Sequence, residues 1–293
     1  MTPRDVALLV LVTMVWGLNI VVVKVGLAQM PPILFVALRF IVVGLLLLPV
    51  LKWPTERWGA LLGLGTLLGV VHFSLFFLGV RHLDVSTTAI AIQLQVPFAS
   101  LLAALFYRDR LGWRRLLGMA FAFAGVALIA GAPRADPALG SLALVVIAAC
   151  IWSVASMMMK GLGDALDVLS LNGWVAIIAA PQLLIVSALT EHGQLAALAA
   201  ADWRVWASAL FQAVLVTLFG YSVWYRMMRR FAVNQVIPFT LLVPVFGVLS
   251  GVLILGESLT LVMLAGAALT IVGVGIIVFR RPKLVEPATK GGI

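Results

Sequence analysis

Residues Trp16 to Gly26 read WGLNIVVVKVG, and residues Trp152 to Gly161 read WSVASMMMKG. In each, a tryptophan opens an apolar run and a lysine stands eight residues later: Trp16 with Lys24, Trp152 with Lys160, at an offset of 136. Both segments lie inside apolar stretches, 6–28 and 140–160, of the ~20 residues that a helix needs to cross a bilayer. Further along, RDRLGWRRLLGMAFAFAG (Arg108 to Gly125) matches GESLTLVMLAGAALTIVG (Gly256 to Gly273) at an offset of 148. There Asp109 aligns with Glu257, Leu111 with Leu259, Gly118 with Gly266 and Gly125 with Gly273. The difference of 12 between the two offsets is taken up mostly by the polar stretch from Glu191 to Asp202. Pro97 and Pro244 fall within one residue of the same register. The pattern predicts two halves of five helices each. Five is odd, so the second half enters the membrane from the opposite side, and such inverted repeats place a substrate site near the midplane between halves. The expected organisation is a first five-helix repeat over 1–132, a second, inverted one over 133–282, and a disordered cytoplasmic tail over 283–293.

Composition agrees with a membrane as solvent. Apolar residues make up 63% of the 293, charged residues 11%, whereas soluble domains sit nearer half apolar and a quarter charged. The spans read as 6–28, 33–51, 58–80, 85–106, 113–131, 140–160, 168–189, 204–225, 233–255 and 261–279. The first is too long for a signal-peptide core and is expected to be a retained helix. Pro31, Pro32, Pro54, Pro133 and Pro137 fall between spans; Pro97, Pro181, Pro238 and Pro244 fall within them, where neighbouring helices can satisfy the freed carbonyl. With a cytoplasmic N-terminus, 15 loop lysines and arginines lie on the cytoplasmic side and 3 on the other. Positive charge stays inside, so both termini are expected to be cytoplasmic in a bacterial inner membrane, with the 133–138 loop outside and the 108–114 loop inside. The net charge of +9 then belongs to topology and anionic lipid, not to nucleic acid. One cysteine, Cys150, permits neither a disulfide framework nor a zinc site.

All 11 acidic residues fall at or beyond span ends. A carboxylate proton relay is therefore not expected, and conservative amide changes at these acids should leave flux within a few-fold. The same absence, with one histidine buried in a span, excludes the paired aspartates or clustered ligands of intramembrane enzymes; no metal and no cofactor are expected. Polar and aromatic residues within spans are the candidates for substrate contact: Trp16, Asn19, Arg39, His72, Phe76, Gln93, Trp152, Ser156 and Tyr221. His72 is the buried group able to titrate near neutral pH, and also fits a hydrogen-bonded packing role. Lys24 can snorkel to the interface. Arg39 lies one to two turns into its helix, where it faces protein or cavity; either cation can meet a substrate carboxylate. Gln93 and Gln95 point about 200° apart on a helix, and Gln93, on the face of Pro97, is the choice for the cavity. Trp174, Phe219 and Trp224 are further aromatics able to line a pathway. Gly59, Gly63, Gly65, Gly69, Gly247 and Gly251 are spaced for close helix packing.

The paired WGLNIVVVK and WSVASMMMK segments, the late prolines and the closing LGESLTLVMLAGAALTIVGV (Leu255 to Val274) resemble the drug/metabolite transporter superfamily, in its ten-helix EamA-type branch. The resemblance covers nearly the whole chain. It implies an all-α, ten-helix inverted-repeat fold that exports amino acids or related metabolites, and within the branch the chain looks most like the aromatic amino-acid exporters. Multidrug antiporters of the superfamily carry a membrane-embedded Glu in helix 1, where this chain has Trp16, Gly17 and Asn19. The expectation is a secondary transporter alternating access around a central cavity, its partners a small amino-acid-like substrate and membrane lipid. A channel-like facilitator or an exporter of other small molecules is the alternative. A monomer is expected, with a dimer left open.

Overall fold

The structure, a computed structural model, describes residues 1–54, 57–107, 112–131, 138–162, 166–231 and 233–279. Asp109, the 133–137 loop, most of the 108–114 loop and the 283–293 tail lie outside the described residues. Ten helices are long and apolar enough to cross a bilayer: α1 (Pro3–Leu27), α2 (Pro32–Val50), α3 (Trp58–His82), α4 (Val85–Phe106), α5 (Trp113–Ala130), α6 (Ala138–Leu162), α7 (Val168–Thr190), α8 (Trp203–Arg230), α9 (Ile237–Leu255) and α10 (Leu261–Val278). No strand occurs among the described residues.

Water-facing ends are capped by polar side chains. Thr2 and Asp5 form a capping box at α1 with Pro3 in the first turn. Asp167 accepts from the Ser170 amide at α7, and Thr260 from Met263 at α10. Each supplies an acceptor to amides that have no partner within their own helix. Along their lengths the helices are apolar on every side: Leu189, Leu253 and Leu261 are exposed while Phe35, Phe77 and Leu183 are buried. That pattern suits helices packed together in lipid.

Several helices are not uniform. α3 is π-helical over Gly65–His72, α8 is π-helical over Gln212–Tyr221, and α4 tightens to a 3-10 turn over Ile92–Leu94. α9 likewise opens with a 3-10 turn, Ile237–Leu241. That turn follows directly on the α-helical turn Val233–Val236, so Pro238 lies inside the helical run over 233–255, where the helix tightens.

The packing partners exchange in a regular way. α5 packs along α10 and α2 along α7; α1 packs on α8 and α9, α6 on α3 and α4. α5 and α10 approach through glycine. A Cβ on Gly118 would stand 2.7 Å from the Gly273 carbonyl oxygen, and one on Gly266 would stand 2.7 Å from the Gly125 oxygen. Gly17 of α1 is equally close to α9, 2.8 Å from the Gly247 nitrogen. Of the other spaced glycines, Gly65 faces Ile178 of α7, whereas Gly59 faces nothing within 4 Å.

Candidate functional site

A cavity of about 1580 Å³ lies between the helices, larger than the ~300–1,000 Å³ usual for small-molecule sites. It starts mid-bundle, at Trp16, Arg39, Phe73 and Trp152, and runs to Lys52, Asp167 and Arg229. The latter three are exposed, so it opens at the end of the bundle where α1 begins. That end also carries Arg4, Arg57, Arg226 and Arg230, and is called here the basic end.

Each repeated tryptophan rests on a π-helical stretch of the other half. The Trp16 indole N–H donates to the Val216 carbonyl at 3.4 Å, and its ring lies 5.7 Å from Tyr221 and 5.2 Å from Trp224. Gly220 admits this contact, because a Cβ there would stand 2.6 Å from the indole nitrogen. Trp152 packs against His72, ring centroids 5.1 Å apart. His72 is buried and its Nδ1 donates to the Ala148 carbonyl at 2.8 Å. π-Helical turns recur at functional sites; here both lie beneath the aromatic wall.

Among the residues singled out from sequence, Trp16, Arg39, Trp152, Ser156 and Tyr221 line the cavity together. Asn19, His72, Phe76 and Gln93 are not on its wall. His72 and Phe76 form a layer behind Trp152, stacked at 6.1 Å. Gln93 is buried and Gln95 lines the cavity instead. α4 is turned so that the Gln95 carbonyl accepts from Ser153 Oγ of α6 at 2.7 Å, and Gln93, two residues away, lies on the other side of the helix. Trp174 is also elsewhere: it packs on Trp53 and Trp58 at the basic end and donates to the Lys52 carbonyl. Tyr225, Asn172 and Phe73 line the cavity without having been singled out. Tyr225 stands four residues after Tyr221, and that spacing was the signal.

Arg39 is 3% exposed, and its guanidinium lies 4.4 Å over the Phe73 ring and 5.5 Å from Phe40. Its Nε has no hydrogen-bond partner. At the mouth, Asp167 pairs with Lys52 at 2.9 Å. Partial burial pushes the Asp167 carboxyl up, but the Ser170 amide and the Lys52 ammonium outweigh it and hold the group below 3.8.

The cavity's lining does not reach the opposite end of the bundle. Glu257, in the α9–α10 loop, accepts from the Val85 and Ser86 amides of α4 at 2.5 and 2.9 Å and from Ser86 Oγ at 2.6 Å. Glu191, at the end of α7, accepts from the Ile33 and Leu34 amides of α2 at 2.8 and 2.9 Å. Lys24 donates to the Leu83 carbonyl nearby. No group of three or more His, Cys, Asp or Glu able to hold a metal occurs among the described residues.

Comparison with known proteins follows this architecture. A solved crystal structure superimposes with a TM-score of 0.64 at 17% sequence identity, covering 94% of this chain and 96% of its own; that likeness concerns the fold. A probable amino-acid metabolite efflux pump of Salmonella typhimurium is 33% identical over 287 residues, 95% of this chain and 96% of that protein. Its counterpart in Escherichia coli is 30% identical over the same 95% and 96%. The pattern of one family, described as EamA-like transporter, matches residues 4–131 and again 139–279. A multi-pass bundle with a central cavity open at one end is a carrier's architecture rather than an enzyme's, and the chain belongs to the EamA-like transporter family.

Proposed function

We propose that this protein exports amino acids and related small metabolites, aromatic and hydrophobic ones favoured, by rocking two inverted five-helix halves about the central cavity. The observation that carries the reading is the cavity itself, walled by Trp16 of α1 and Trp152 of α6 and reaching one end of the bundle. Each half brings an aromatic surface, beside Thr217 in one wall and Ser156 in the other. Such a lining suits an apolar side chain next to a polar backbone. The efflux-pump names of the two relatives support the direction and the substrate class.

Several features support the inverted repeat. The family pattern matches twice. Gly118 meets Gly273 while Gly125 meets Gly266: exchanging the aligned residues turns one contact into the other, as a two-fold axis requires. The π-helical stretches of α3 and α8 exchange in the same way. With the basic end in the cytoplasm, of a bacterial inner membrane, this is an inward-open state, closed outside by Glu191 and Glu257. Closure at that end favours a carrier over a channel. The exporter acts as a monomer, its two halves completing the cavity within one chain.

Purified protein in liposomes, given a panel of labelled amino acids with and without a pH gradient, tests the reading. Saturable, stereoselective flux with aromatic substrates preferred is expected, persisting without the gradient. Non-saturable, unselective flux would indicate a channel, and an absolute need for the gradient would refute uncoupled transport.

A further inference from the structure

We propose that Arg39 is the carboxylate-binding group of the cavity, and that cargo is selected by its carboxylate rather than by its ammonium group. The proposal rests on the cavity being the cargo site.

Arg39 lies in the wall at mid-bundle, buried, with no salt bridge to a carboxylate among the described residues and with Nε unpartnered. A permanent charge taken out of water is costly unless something pairs with it. The protein covers only its apolar faces: Phe73 lies at 4.4 Å and Phe40 at 5.5 Å. Aromatic rings over a guanidinium leave its N–H edge available, and that planar edge matches a carboxylate with two parallel hydrogen bonds. The pairing is one-sided. The residue 136 further along, Val175 of α7, lines the cavity as well. The two halves therefore present a guanidinium and an isopropyl group to the same space, and an asymmetric cargo can bind in one orientation.

The described lining offers the ammonium of an amino acid no free carboxylate. Asp167 is the one carboxylate among the described lining residues; it sits at the mouth, already paired with Lys52. Lys52, Arg226 and Arg229 line the same passage, so its field draws anions and repels cations. Aromatic acids without the amino group should therefore bind, and amines without the carboxylate should not.

The test uses full-length protein in detergent, with binding read from ligand-dependent tryptophan fluorescence, and the probes phenylalanine, 3-phenylpropanoate and phenethylamine. Expected are 3-phenylpropanoate binding within a few-fold of phenylalanine and phenethylamine weaker by about tenfold or more, the size of one charged hydrogen-bonded contact. Arg39→Gln should weaken both acids by about tenfold and abolish the preference over the amine, with Arg39→Lys intermediate. A general loss of structure would not reverse a preference between two ligands of the same shape. Phenethylamine binding as well as 3-phenylpropanoate, absence of acid binding, or acid binding unchanged in Arg39→Gln would each overturn the proposal. The wild-type comparison decides even if the variant fails to fold. Acid binding without any amino-acid flux in liposomes would sink export and leave the carboxylate site supported. Flux with phenethylamine as an equal competitor would do the reverse.

Discussion

Trp16 and Trp152 form opposite parts of one aromatic wall, and their removal should be felt unequally by different cargoes. Stacking and burial of a ring contribute on the order of 1 kcal/mol or more, about tenfold in apparent affinity. Trp16→Ala or Trp152→Ala is therefore expected to weaken flux of phenylalanine or tryptophan by about tenfold and that of threonine much less, measured with folded protein in liposomes. Equal loss of all substrates would make the rings gates or packing groups. The two tryptophans were legible in the sequence because a repeated Trp–Lys spacing survives in text. Gln95 was not: it and Gln93 stand on opposite sides of α4, and which of them meets the cavity depends on how α4 is turned against Ser153 of α6. His72 was legible as buried, but not as the layer behind Trp152, since that depends on which of its faces α6 covers.

Helix ends carry a lesson that the spans alone do not. Pro31 and Asp84 precede α2 and α4 without side-chain caps of their own, and the amides there are satisfied by Glu191 and Glu257 from the other half. Reading every acid as a loop residue passed over this work, because a contact across 172 residues leaves no local pattern. Charged hydrogen bonds of this kind contribute about 1.5–3 kcal/mol. Glu257→Gln keeps one acceptor oxygen and loses the charge. It should make the closed end open more often, so that a cysteine at Val85, in a Cys150→Ala background, is labelled from outside about tenfold faster. Saturated flux should stay within a few-fold, as expected without a carboxylate relay. Unchanged labelling would show that the cap does not hold the end shut, and abolished flux would assign Glu257 a coupling role.

Across the bundle, the orientation rests on where the basic residues gather, and labelling checks it directly. Leu195, in the short helix Gln194–Ala200, and Trp53, after α2, are exposed at opposite ends. Cysteines there should react from the outside and only from the inside, respectively; reaction of both from one side would overturn the ten-helix topology. The helix count was readable because a bilayer imposes one length on every span, while the outline of the expected cavity was not, because its shape depends on how the halves tilt. The exchanged caps have one more consequence, for the order of synthesis. The ribosome delivers the first five helices before Glu191 and Glu257 exist, so α2 and α4 enter the bilayer with bare amides at the ends away from the basic end. Those groups must borrow water or lipid headgroups until α7 and the α9–α10 loop arrive. The first half is thus made as an unfinished surface, and what completes it is the nascent chain's own later arrival.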